Sequence, residues 1–376
     1  MSEPARVDLA TAIDDTEFAW SLCLIGEDQS SKLAVLTGDL ASRRNKQITS
    51  GFAYWGIGPT IAWDAACRDP FYPVMKQSIE SFQRRWRTVW PKVKRDKLHY
   101  VSLGVGTGGK DRQIVETLHQ HHPGLFYVPV DMSSEMLRLG TKESTAGTKI
   151  SRQQIVPVQL DFSIPQNLVE LRRLLDKIVG DEPILFSLLG NTMANFTDDS
   201  GLLTSLAGLL RPQDTFLLEV ATTNAITEDL AAAAAEEYAR SRAYREFVTS
   251  ALLHYTDVTI NMDHVQFRGG AERDHALLVK VLYQNLTGMD LQLMLPDRSR
   301  VTFPDRDTIQ LYLTRKYARR SLDAMIRDCA LTKLAAARSD FTAQRSSAAF
   351  GMDLLLVAAN QDARPKPTSV ADAVWS

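Results

Sequence analysis

From residue 98 onward, short apolar runs alternate with longer segments whose apolar positions recur every three or four residues. Residues 98–103, 126–130, 155–160, 184–189 and 215–220 read as strands. Residues 110–121, 134–142, 168–179 and 201–210 read as helices, with Ser133 or Ser134 as the N-cap of the second. Strands separated by helices of this length predict an α/β fold, a parallel sheet with helices on both faces.

The flanks follow other patterns. Residues 18–97 read as mostly helical, and the basic, aromatic run RRWRTVWPKVKRDK at 84–97 reads as a solvated helix face leading into the first strand. After residue 221 an Ala- and Glu-rich helix is expected over 228–251. Strand-like stretches follow at 255–267, 276–285 and 291–303, the last with a turn at 296–299. A helix is expected over 307–329, a closing strand over 350–359, and a loosely ordered polar tail over 361–376.

Composition narrows the picture only a little. The chain has 376 residues, enough for two cores, with 43 Lys+Arg against 45 Asp+Glu and a net charge of −2. That balance makes no case for a nucleic-acid partner or an anionic membrane surface, and leaves a small molecule as the expected partner. Oligomeric state is not legible. Three widely spaced cysteines, Cys23, Cys67 and Cys329, form no CxxC pair and suggest reduced thiols in a cytoplasmic protein. The first residues lack the apolar core of an export signal, and no apolar run approaches the ~18 residues of a membrane span.

The richest chemistry lies in YVSLGVGTGGKDR, residues 100–112. A strand ends there on glycines at 104, 106 and 108, and a polar helix start follows. Without Cβ atoms, such a turn lets backbone N–H groups approach a nucleotide cofactor. Gly104, Gly106 and Gly109 satisfy the dinucleotide fingerprint, with Asp131 at the right distance for a ribose contact. Gly104 to Lys110 also fits part of a P-loop, but Asp111 stands where a magnesium-binding Ser or Thr is needed. A strand–GxGxG–helix loop for S-adenosylmethionine is the third possibility. Asp161–Phe162, after the third strand, is suited to an adenine: the carboxylate accepts from the amino group while the ring covers the purine. LLGNTMANF at 188–196 falls at the carboxyl edge of the sheet, where open α/β folds bind ligands, and Asn195 offers both a donor and an acceptor. The HQHH run at 119–122 reads as a helix C-terminus favoured by the dipole, and no metal site is expected.

Taken together, these blocks resemble the histidine Nα-methyltransferases of ergothioneine biosynthesis, over residues 51–359. The loop LGVGTGGKDR at 103–112, YVPVDMS ending at Ser133, LDF at 160–162 and LGNTMANF at 189–196 carry the resemblance. It implies a Rossmann-like, doubly wound methyltransferase sheet with a second α+β substrate or lid domain. Residues 1–97 would contribute helices to the substrate site, 98–221 would bind S-adenosylmethionine, 222–303 would be the inserted lid, and 304–360 would return to the sheet. It also implies that Gly104, Gly106 and Lys110 line the methionine end, Asp131 holds the ribose, and Asp161 with Phe162 holds adenine. Tyr54 and Tyr72 match the family's two tyrosines near the reacting groups, and Gly190 and Asn195 its grip on the amino-acid backbone.

The substrate end departs from the family pattern. Tyr312 and Thr314, in LYLTRKY, stand where the family has the glutamate and serine that read imidazole, and Met262 matches a pocket methionine. A phenol lacks the full charge of a carboxylate, so imidazole recognition should be lost or greatly weakened. The expected activity is N-methylation of an amino acid, or derivative, other than histidine, as in secondary metabolism. The alternatives are O- or C-methylation of a small natural-product metabolite, or a cofactor-binding pseudoenzyme.

Overall fold

The computed structural model describes residues 21–26, 29–70, 72–93, 95–341 and 350–360. The expected tail at 361–376 and the start of the helical region at 18–20 lie outside the described residues.

The chain opens with β1 (Cys23–Leu24), α1 (Gln29–Ala41), β2 (Lys46–Gln47), α2 (Ile57–Arg68) and α3 (Pro73–Val93). The alternating block then runs β3 (His99–Leu103), α4 (Gly109–His121), β4 (Tyr127–Asp131), α5 (Ser134–Thr145), β5 (Val158–Gln159), α6 (Pro165–Val179), β6 (Ile184–Leu188), α7 (Asp199–Leu209) and β7 (Thr215–Thr223). Every residue of β3, β4, β6 and β7 is buried, as strands covered by helices on both faces require. The expected third strand survives only as two residues of β5, with one isolated bridge between Tyr127 and Ile155.

The remaining elements are α8 (Glu228–Ala239), α9 (Arg242–Tyr255), β8 (Val265–Glu272), β9 (Ala276–Gln284), β10 (Leu291–Met294), β11 (Arg300–Phe303), β12 (Thr308–Ala318), α10 (Arg319–Asp328), β13 (Leu331–Asp340) and β14 (Phe350–Ala359). The single helix expected over 228–251 is two. Ser241 breaks it by capping α9: its hydroxyl oxygen accepts from the Tyr244 N–H at 2.9 Å. The stretch 255–264 is a helix end followed by irregular chain, and the strand there begins only at Val265.

The main sheet runs β1-β5-β4-β3-β6-β7-β12-β9-β8, with β14 and then β13 added antiparallel to β7. β1 to β7 in this path are mutually parallel. From β3 the chain order runs one way to β4 and β5, and the other way to β6 and β7. That reversal opens a crevice at the carboxyl ends of β3 and β6. The segment 222–303 is itself α+β. Its strands β8 and β9 extend the main sheet through β12, and only β10 and β11 form a separate hairpin.

Two expectations are corrected here. The residues expected as a helix over 307–329 form strand β12 followed by α10, and β13 lies where the pattern predicts no element. Tyr, Leu, Arg and Lys suit either structure, so what decided was pairing: β12 takes ladder bonds from β9 along nearly its whole length. The basic run at 84–97 is not a uniformly solvated face either. The Arg85 side chain is fully buried against Glu219 of β7, because α3 lies across that part of the sheet. Among the described residues, no helix is long and apolar enough to cross a membrane.

Candidate functional site

The loops after β3, β4, β5 and β6 converge on one cleft of about 1130 Å³, its open mouth included. Gly104, Gly106, Asp131, Asp161, Phe162, Gly190 and Asn195 line it from the sheet edge, and Tyr54 and Trp63 from the N-terminal helices.

The glycine loop has its shape for a steric reason. Gly104, Gly106 and Gly108 all have positive φ, at 70°, 54° and 76°. A Cβ on Gly108 would stand 2.2 Å from the carbonyl oxygen of Gly140 on α5, and a Cβ on Gly140 would stand 2.4 Å from that of Gly106. The loop is therefore pressed onto α5, and Gly140 is a partner that the linear pattern did not reveal.

Asp131 ends β4 with its carboxylate held by backbone. One oxygen accepts from the Ser133 N–H at 3.1 Å, the other from the Gly106 N–H at 3.4 Å. Burial raises its pKa to about 6, opposed by those same N–H donors. Asp161 is fixed by Ser163, whose N–H and hydroxyl donate to it at 2.9 and 2.6 Å. The neighbouring Phe162 ring lies across the glycine turn, 3.6 Å from where a Cβ of Gly104 would be. A left-handed glycine loop, a buried carboxylate and a carboxylate–phenyl pair are a donor and acceptor set suited to an adenosyl group.

Lys110 reaches the cleft with part of its side chain only. Its ammonium turns beneath the loop, donating to the Ser78 hydroxyl at 2.6 Å and pairing with Glu219.

At the other end, the Tyr54 and Tyr312 hydroxyls are 2.5 Å apart, and the Asn195 amide donates to Tyr54 at 3.5 Å. The Tyr54 ring packs on Trp63 and Phe247, each with centroids 5.1 Å away. Burial, then Tyr312, pushes the Tyr54 hydroxyl well above its ordinary pKa, so it stays neutral.

Four residues expected at the acceptor end do not line the cleft. Tyr72 packs in an aromatic cluster, 4.8 Å from the Tyr244 ring and 5.7 Å from that of Tyr238. Tyr312 meets the site through its hydroxyl, which bonds Tyr54 and also reaches the Asn195 side chain. Thr314 accepts at 3.1 Å from the Asn191 amide, which places it in a brace and not in a pocket. Met262 is 38% exposed at the turn Met262–His264, beside Thr249. The brace itself was missed. Asn191 adopts a left-handed φ of 66°, accepts from the Ala221 N–H at 2.8 Å and donates to the Arg315 carbonyl at 3.1 Å. It ties the loop carrying Asn195 to β7 and β12.

Among the described residues, one group has metal-ligand geometry: His99, His122 and Glu182, at the opposite sheet edge, offer three ligand atoms within 4.8 Å of one another. His99 Nδ1 accepts from the Phe126 N–H at 3.0 Å, so Nε2 carries the proton and donates to Glu182 at 2.8 Å. Lys97 holds the other Glu182 oxygen at 2.5 Å. His99, Glu182 and Lys97 thus bond one another, while the buried Nε2 of His122 has no hydrogen-bond partner among the described residues.

Comparison with known proteins agrees with the cleft chemistry. A curated histidine N-alpha-methyltransferase of Mycobacterium tuberculosis (strain CDC 1551 / Oshkosh) is 30% identical over 196 residues, which cover 48% of this chain and 56% of that protein. The match thus spans little more than half of the relative's length. Two solved structures share low identity. An S-adenosylmethionine-dependent methyltransferase from Clostridium acetobutylicum ATCC 824 is 12% identical, covering 76% of this chain and 91% of its own, at a TM-score of 0.38. The glycopeptide N-methyltransferase MtfA with sinefungin is 13% identical, covering 75% and 86%, also at 0.38. Nothing about substrate follows from likeness at that level. The family described as "Histidine-specific methyltransferase, SAM-dependent" matches residues 32–347, and the chain belongs to that family.

Proposed function

We propose that the chain transfers a methyl group from S-adenosylmethionine to the amino group of an amino acid, or amino-acid derivative, other than histidine. The observation that carries this reading is the Tyr54–Tyr312 hydroxyl pair at 2.5 Å. Position 312 offers a neutral phenol already engaged by another phenol, so an imidazole would meet no carboxylate there. The wall beside it is aromatic: Tyr54, Trp63 and Phe247.

Bound S-adenosylmethionine supplies an electrophilic methyl group on a sulfonium. In this reading Asp131 accepts from the ribose hydroxyls, Asp161 and Phe162 hold adenine, and Gly104 and Gly106 leave room for the methionine arm. Gly190 and Asn195 grip the acceptor's amino-acid backbone. The residues then need to align the acceptor nitrogen with the methyl carbon and keep its lone pair free. Neutral Tyr54 serves as a hydrogen-bond partner of that nitrogen and not as a strong base, and the amine proton leaves through the open mouth to water. Residues 222–303, with the N-terminal helices, act as the lid and limit water at the reacting pair. Tyr72 supports that wall from behind.

The test is methyl transfer from isotope-labelled S-adenosylmethionine to a panel of amino acids and phenolic acceptors, read by mass spectrometry. Transfer to the amine of a non-histidine acceptor is expected. Efficient Nα-methylation of histidine, or transfer only to oxygen or carbon, overturns the reading.

A further inference from the structure

Strand β7 carries a single carboxylate, Glu219, with none of its side chain exposed. One oxygen accepts from Arg85 at 2.5 Å and from the Ser78 hydroxyl at 3.3 Å. The other accepts from the Lys110 ammonium and, at 2.8 Å, from the Gly190 N–H. The Glu219 carbonyl also accepts from the Asn191 N–H at 3.1 Å. Burial alone would raise this carboxyl, but Lys110 and Arg85 outweigh it and hold the group ionised.

A buried cluster of two cations and one anion is a poor way to gain stability, since desolvation offsets most of the attraction. What it fixes is position. Lys110 opens the helix after the glycine loop, and Gly190 opens the loop that carries Asn195. Both residues line the cleft, and both converge on one oxygen of one side chain. Asp131 and Asp161 take no part in this cluster.

We infer that Glu219 is a positioning residue: through Lys110 it sets the end of the cleft that receives the amino-acid arm of the cofactor, and through the Gly190 N–H it ties that end to the adjoining acceptor loop. This rests on the reading that the cleft takes S-adenosylmethionine. The loss on removing Glu219 is then selective. Ligands with the methionine arm suffer, and those that stop at the nucleoside do not.

The experiment is calorimetry with S-adenosylhomocysteine and with adenosine on the wild type, Glu219→Gln and Ser78→Ala. Glu219→Gln is expected to weaken S-adenosylhomocysteine on the order of 10-fold, the scale of a charge-assisted hydrogen bond, and adenosine by no more than about 2-fold. Ser78→Ala, which keeps the carboxylate and removes one link to it, is expected to shift S-adenosylhomocysteine in the same direction by about 3-fold. If Glu219→Gln fails to fold, as judged by circular dichroism, Ser78→Ala decides alone. Equal losses for both ligands, or no loss for S-adenosylhomocysteine, overturn the inference. A wild type that binds neither compound overturns the cofactor reading itself, and this inference with it.

Discussion

The hydroxyls of Tyr54 and Tyr312, 258 positions apart in sequence, meet at 2.5 Å at the acceptor end of the cleft. Tyr54 arrives on the short turn Ser50–Tyr54 and Tyr312 on β12, and both hydroxyls are deprived of bulk water by burial. Each is therefore the other's main means of satisfying a buried polar group.

Removing one of the two hydroxyls leaves the other with only the Asn195 amide as partner in an otherwise apolar wall. Tyr54→Phe and Tyr312→Phe should each destabilise the fold by about 1–3 kcal/mol, and the double variant should cost less than their sum by about 1 kcal/mol. Urea denaturation of the four proteins measures the coupling. Strict additivity would show that the bond contributes nothing.

Cofactor affinity should follow the ionisation of Asp131. Burial raises that carboxyl to about 6, so it loses its charge as pH falls through this value and accepts ribose hydroxyls less well. Affinity is present above pH 6 and lost below it, by about ten-fold for S-adenosylhomocysteine between pH 8 and pH 5 if the protonated form does not bind. Asp111, also raised to about 6 by burial, titrates in the same window. Asp131→Asn separates the two: affinity should be weak at all pH values and the slope mostly gone, as calorimetry across pH 5–8 would show.

Asn195 projects into the cleft beside Tyr54, held there by the Asn191 brace. Asn195→Ala should raise the acceptor KM by on the order of 10-fold or more, reflecting the loss of ~1.5–3 kcal/mol for a hydrogen bond to a charged group. Steady-state kinetics with the acceptor found by the labelling screen give the answer, and an unchanged KM removes Asn195 from the site.

The contact between the glycine loop and α5 is the least tolerant in the cleft. Gly140→Ala would place its Cβ 2.4 Å from the Gly106 carbonyl oxygen, and neither backbone can yield cheaply. A loss of about 1–3 kcal/mol in urea denaturation is expected, with weakened S-adenosylhomocysteine binding. Gly147→Ala, where φ is positive but nothing lies within 4 Å, should cost less and leave binding unchanged.

Much of the cofactor end was legible because its signals are local. A strand that closes on glycines, an acid at the end of the next strand and an Asp–Phe pair after the third are each contained in a few residues. The acceptor end was less so. The sequence pattern puts Tyr312 and Thr314 on a helix, where two positions apart they would diverge. On β12 they share a face, and Thr314 is taken by Asn191. Arg85 looked like one more charge in a basic run. Only the packing of α3 on β13 and β14, beside β7, buried it against Glu219.

By itself, the order of apolar runs and amphipathic segments determined a parallel sheet with its chemistry at the carboxyl edge. That information is short-range: periodicity, glycine turns and caps act within about ten residues. Tertiary structure decided whether 308–318 became strand or helix, that Tyr54 would meet Tyr312, and that Lys110 and Gly190 would share one oxygen of Glu219. Those outcomes depend on which distant segments exclude water together, and no window along the chain contains both partners.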